Sequence, residues 1–202
     1  MVAILNEIRR GAIDAQPALV VSDRAAAPGL QKAHSFAVPT LVVAPETGQS
    51  RVDYDLRLDR GLREYGVELI CLAGFMRILS PQFIERWSGR VLNIHPSLLP
   101  SFPGLHPQRQ ALQAGVKISG CTVHFVDASV DGGAILLQAA VPVLETDDET
   151  QLAVRILEQE HRIYPLAVQM VASGRARCVE GKAIIEPQGI TRPPRSVFVP
   201  PA

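Results

Sequence analysis

Apolar positions along this chain switch between two spacings, one suited to helices and one to strands. In residues 1–12, Ile4, Leu5, Ile8 and Ala12 recur at helical intervals with polar residues between them, which predicts an amphipathic helix. ALVVS (18–22) and TLVV (40–43) read as short buried strands, and Pro28-Gly29 opens a short helix between them. A helix over 52–65 would carry Tyr54, Leu58, Leu62 and Tyr65 on one face and turn Arg57, Arg60, Arg63 and Glu64 away. ELICLAG (68–74) and RVLNIH (90–95) follow as strands, separated by the helix-like PQFIERW (81–87). Short apolar strands alternating with amphipathic helices predict an α/β fold with a doubly wound, mostly parallel sheet.

The pattern changes after residue 115. KISGCTVHFV (117–126) and AILLQAAVPV (134–143) are longer strands joined by DASVDGG, a connection short enough to imply antiparallel pairing. A long helix is expected from about 148 to 172, with a break near Pro165. RARCVEG and KAIIE form a small hairpin. The last sixteen residues, 187–202, hold five prolines and no periodic apolar face, and read as a Pro-rich tail. No repeat is visible, so residues 1–186 are expected to form a single domain.

Composition narrows the functional classes. Twenty basic and twenty acidic residues leave no net field to draw nucleic acid or an anionic membrane. Cys71, Cys121 and Cys178 show no CxxC spacing, which argues against a disulfide framework or a zinc cage. The chain has neither a GxGxxG nor a Walker A sequence, and its histidines lack HExxH spacing, so no metal is expected. No apolar run approaches membrane-spanning length and no signal-peptide core follows Met1. The expectation is a cytoplasmic protein.

LNIHPSLLP (92–100) is the most unusual segment. A strand ends at Asn93-Ile94-His95 and Pro96 turns the chain at once. Alternation puts Asn93 and His95 on one side of the strand, at the end where open α/β sheets bind ligands. The plainer alternative is that both satisfy loop backbone groups. Asp131, in the glycine-rich DASVDGG loop, is either a turn aspartate or a carboxylate that favours an imidazolium at His95. His124, with Val123 and Phe125 on the opposite face, reads as a structural histidine. Leu152, Ile156, Ile163, Ala167 and Met170 make an apolar stripe that Glu160 interrupts, so Glu160 either lines a pocket or reaches the rim. Arg77 in GFMRILS is pocket wall or surface loop, and Ser50-Arg51 opens a helix.

Together these segments resemble the folate-dependent glycinamide ribonucleotide formyltransferases of de novo purine synthesis. SRVDYD (50–55), CLAGFMRILS (71–80), LNIHPSLLPSFPGLHPQRQAL (92–112), GCTVHFVDASVDGGAILLQAAVPV (120–143) and EQEHRIYP (158–165) carry the resemblance. Methionyl-tRNA formyltransferases and formyltetrahydrofolate deformylases are less similar and carry further domains. The resemblance implies a formyltransferase fold and 10-formyltetrahydrofolate as cosubstrate. It implies Asn93, His95 and Asp131 as the catalytic trio. Met76, Arg77, Ile78, Leu79 and Arg51 match folate-binding positions, and Val126, Asp127, Ala128 and Val130 match the loop lining the pterin pocket. Glu160 matches the residue that holds the ribose hydroxyls, and Pro96 lies beside the acceptor.

There are two departures. Leu157 stands where the family usually has Lys or Gln near the substrate phosphate. The family also begins with a strand and a Gly-x-Gly-Ser-Asn phosphate loop that have no counterpart here. The expectation is therefore a chain that starts downstream of the family's first strand. Formylfolate hydrolysis and an inactive folate-binding remnant are the alternatives to transfer. The partners expected are the two small-molecule substrates, with the chain a monomer or homodimer.

Overall fold

The computed structural model describes residues 1–186, and the Pro-rich tail expected over 187–202 lies outside the described residues. The chain enters in helix α1 (Val2–Arg9), which turns Ile4 and Leu5 inward. Strand β1 (Val20–Ser22), helix α2 (Pro28–His34) and strand β2 (Thr40–Val42) follow. Pro28 sits in the first turn of α2, where a missing N–H costs nothing. Helix α3 (Arg51–Glu64) is opened by Ser50, whose hydroxyl accepts from the Asp53 N–H. Strand β3 (Ile70–Cys71), helix α4 (Pro81–Arg86) and strand β4 (Val91–His95) complete the alternating half. Helix α5 (Pro107–Gln113), strands β5 (Ile118–Phe125) and β6 (Ile135–Pro142), helix α6 (Glu149–Ala172) and the hairpin β7 (Ala176–Val179) with β8 (Lys182–Ile185) make up the rest.

β1 pairs with β2, and β3 with β4, in parallel. β4, β5 and β6 then pair antiparallel, giving a four-stranded sheet ordered β3-β4-β5-β6. The long strands 117–126 and 134–143 thus pair as their short connection implies. No ladder joins β1 to β3 among the described residues. Val21 in β1 with Leu19 just before it, and Ile70 in β3 with Leu72 just after it, nonetheless pack on the same buried set of Tyr54, Leu58 and Leu62 from α3 with Phe83 and Trp87 in and at the end of α4. Gly61 permits this approach, because a Cβ there would meet the Leu41 side chain at 2.5 Å.

Helix α6 covers the antiparallel half. Leu152 and Ile156 pack against Cys121 and Val141, while Tyr164, Ala167, Val168 and Met170 pack against Leu92, Val123 and Phe125. The Tyr164 hydroxyl reaches the carbonyls of Leu72 at 2.7 Å and Leu92 at 3.0 Å, tying the ends of β3 and β4 to the helix.

Three expectations need correction. Helix α6 runs unbroken through Pro165. Tyr164, Pro165, Ala167 and Val168 are all buried, so packing on the sheet outweighs the one backbone hydrogen bond the proline forfeits. Tyr65 does not share the buried face of α3; the helix ends at Glu64, and the ring is 43% exposed. In its stead α3 buries Asp55 and Asp59. Strand β3 is also far shorter than 68–74, two residues long.

Candidate active site

β4 lies in the middle of the sheet, and its last residues carry the chemistry. The register sets Asn93 opposite His124 and His95 opposite Thr122 on β5. His95 is 6% exposed. Asp131 arrives from the loop between β5 and β6, with a backbone φ of 54°. Gly133 lets that loop close tightly, since a Cβ there would collide with the Phe125 carbonyl.

Of the three residues predicted from the strand end and the glycine-rich loop, His95 and Asp131 therefore meet, and Asn93 lies two residues before His95 on the same strand. Asp131 Oδ2 is 3.3 Å from His95 Nδ1 and accepts the Gly104 N–H at 2.8 Å. His95 Nε2 donates to the Phe102 carbonyl at 3.0 Å. Both ring nitrogens face acceptors, an arrangement that an imidazolium with two N–H groups satisfies and a neutral ring half fills.

Sequence reasoning missed the residues that hold these groups. Asn93 Nδ2 is 3.2 Å from His124 Nε2, so His124 touches the trio rather than serving only the core. Burial pushes His124 below the ordinary histidine range. The Phe125 carbonyl and Asp131 pull it back, His95 depresses it further, and Asp127 opposes. Thr122 accepts the Leu99 N–H at 3.0 Å and donates to the Ser97 carbonyl at 2.7 Å. Gln138, opposite Thr122 on β6, donates to the Leu99 carbonyl at 2.8 Å and to Thr122 Oγ1 at 2.9 Å. These bonds fix the loop that presents Phe102 and Gly104 to His95 and Asp131. The available signal was a threonine and a glutamine inside two apolar strands.

The remaining predicted residues divide by exposure. Met76 is 80%, Ile78 54% and Val130 58% exposed, apolar side chains left open beside the strand ends. Val126 and Phe75 pack against one core cluster, which brings the two loops together. Leu79 is buried in that same cluster, so its side chain supports the loop. The Arg77 guanidinium stacks on the Tyr54 ring at 4.3 Å. Arg51 is exposed at the first turn of α3, Asp127 and Ala128 are exposed, and Pro96 is partly buried. Asp127 accepts from the Ser129 N–H at 2.9 Å, shaping its loop. Glu160 is partly buried on α6 and makes no ion pair or hydrogen bond with the trio. Burial raises it above the usual carboxylate range, against a weaker pull from the Met1 amino group.

Among the described residues, no group of three or more His, Cys, Asp or Glu is placed to hold a metal ion, and no helix is long and apolar enough to cross a membrane. A histidine paired with a carboxylate, with a carboxamide two residues before it on the same strand end of an α/β sheet, makes a site that can donate hydrogen bonds to a developing oxyanion. Residues 1–168 match the formyl transferase family, and the chain belongs to it.

It is 42% identical over 186 residues to the phosphoribosylglycinamide formyltransferase of Escherichia coli (strain K12), covering 92% of this chain and 88% of that protein. Over 182 residues it is 48% identical to the trifunctional purine biosynthetic protein adenosine-3 of Gallus gallus, covering 90% of this chain. The chain spans 18% of the length of that relative. A crystal structure of glycinamide ribonucleotide transformylase 1 from Symbiobacterium toebii superposes with a TM-score of 0.87 at 51% identity, over 91% of this chain and 86% of that one.

Proposed function

We propose that this protein transfers a formyl group from 10-formyltetrahydrofolate to the primary amine of glycinamide ribonucleotide, in purine biosynthesis. The observation that carries the reading is the contact of His95 with Asp131 at 3.3 Å, on the strand end that also bears Asn93. The residues suit a folate: Met76, Ile78 and Val130 leave apolar surface open to a flat ring, and Arg77 is braced on Tyr54. The folate supplies the activated formyl carbon.

Attack by the acceptor amine builds negative charge on the formyl oxygen. Asn93 and His95 donate to that oxygen. The charged oxygen competes with the neutral Phe102 carbonyl for the Nε2 hydrogen and is the stronger acceptor. Asp131 holds the second proton on His95 and, through water, relays the proton the amine loses to N10 of the folate; the bond between the formyl carbon and N10 breaks, and tetrahydrofolate leaves. Glu160 accepts from the ribose hydroxyls. Leu157, exposed on α6, offers nothing to a phosphate.

The deciding assay follows 10-formyltetrahydrofolate with and without glycinamide ribonucleotide. Loss of the formyl group that depends on the acceptor and yields formylated product is expected. Acceptor-independent loss points instead to hydrolysis, and binding without turnover to a folate-binding remnant.

A further inference from the structure

We infer that His124 is a positioning residue that locks the Asn93 carboxamide with its amide nitrogen, not its oxygen, toward the site; the inference rests on the formyl-transfer reading above. The ring's other nitrogen fixes the tautomer. His124 Nδ1 lies 3.0 Å from the Phe125 carbonyl, an acceptor with no hydrogen to give, so Nδ1 carries the proton. Because β5 buries the ring, the neutral form is favoured, and a neutral ring protonated at Nδ1 has a bare Nε2.

A bare Nε2 accepts and cannot donate. Its neighbour at 3.2 Å is Asn93, directly opposite on β4. Only the NH2 group of Asn93 satisfies that nitrogen; the rotated carboxamide would bring two lone pairs together. One amide hydrogen is thereby spent on His124 and the second stays free for the formyl oxygen. The same nitrogen is 3.9 Å from Asp131 Oδ1, beyond hydrogen-bond reach. Asp131 thus stays with His95 and Gly104. The groups facing His124 are Asn93, Asp131 and His95 across the site, with the Phe125 carbonyl and Asp127 on its own side.

A ring protonated at both nitrogens would reverse the arrangement. Nε2 would then need an acceptor, which turns Asn93 to present its oxygen and draws on Asp131. His124 therefore acts through Asn93, and removing both residues should be no worse than removing Asn93.

The test is a double-mutant comparison with a spectroscopic control. His124→Leu is expected to lower kcat about 10- to 100-fold, at or below the roughly 10²–10³-fold cost of losing one oxyanion donor outright, with the folate KM held within about two-fold. In an Asn93→Ala background the same change should lower kcat by less than about three-fold. His124→Gln, whose side-chain oxygen can accept from Asn93, should recover most of the loss. Equal losses in the two backgrounds, or none in the parent, overturn the inference. If the Leu variant does not fold, the Gln variant and the imidazole nitrogen spectrum of the unmodified protein at neutral pH decide. A His124 ring protonated at Nδ1 and bare at Nε2 supports the inference, and a proton on Nε2 overturns it. That spectrum needs no substrate. An enzyme that never formylates glycinamide ribonucleotide defeats the proposed function, whereas a proton on Nε2 defeats only the role of His124.

Discussion

Glu160 is a carboxyl that folds at a cost when charged. Burial raises it above the range of a free glutamate, and the Met1 amino group offsets this in part. The folded chain then holds that proton more tightly than the unfolded chain does. Stability therefore declines as pH rises from the unfolded value through the raised folded one, and the penalty stands in full above it. Glu160→Gln should melt higher than the parent at neutral pH and equally at a pH where Glu160 is protonated in both the folded and the unfolded chain. Under the proposed function the same variant would lose an anionic acceptor for the ribose hydroxyls, and its KM for the acceptor should rise about ten-fold. A variant that melts lower at every pH contradicts the account.

The same residue shows why part of the site was legible in advance. Glu160 interrupts an otherwise apolar stripe, and Asn93 with His95 ends a strand at Pro96; each breaks a local rule that the chain otherwise keeps. Thr122 and Gln138 give only a fainter signal, a polar residue in each of two apolar strands, and His124 gives no more. A polar residue in a strand reveals its purpose only when the register names its cross-strand neighbour, and register is a property of two strands. Leu79, which the resemblance groups with folate-binding positions, buries its side chain against α3 and α4, neighbours that spacing along the chain does not reveal.

At the level of elements, helix α3 carries an unexpected device. Asp59 accepts from Trp87 Nε1 at 2.8 Å, from Arg63 Nε at 3.0 Å and from an Arg86 nitrogen at 3.2 Å. One turn earlier, Asp55 accepts the Ser80 N–H at 2.6 Å, so two carboxylates on one face clasp the start and end of α4. Burial alone would raise Asp59, but the Trp87 N–H, Arg63 and Arg86 outweigh it and hold the carboxyl below its ordinary value. Its contribution is therefore present above the unfolded aspartate range and lost as pH falls through the lowered folded one. Asp59→Ala, which strands the buried Trp87 N–H, should cost roughly 1–3 kcal/mol at neutral pH. Urea denaturation should show that gap narrowing in acid. A gap that widens in acid would contradict the sign. Spacing does not place these aspartates, because it marks a carboxylate as polar whether or not donors await it. Helix α5 went unread for a simpler reason: seven residues with two buried positions make no stripe.

On the scale of the whole molecule, the alternation of short strands and helices made the α/β class plain, and the two long strands after residue 115 made the antiparallel half plain. What spacing could not supply is how the halves meet. β4 is the shared strand, parallel to β3 on one edge and antiparallel to β5 on the other, and its carboxyl end is where Asn93, His95 and the Asp131 loop converge. The proposed function requires that this convergence perform the transfer. Asp131→Asn keeps an oxygen for the Gly104 N–H but gives up the charge that pairs with His95. Its kcat for formylation of glycinamide ribonucleotide, measured beside its affinity for the folate, is the most direct test. The account predicts a fall in kcat of roughly 10²–10⁴-fold with folate affinity held within a few-fold. An Asp131→Asn enzyme that turns over like the parent would contradict it.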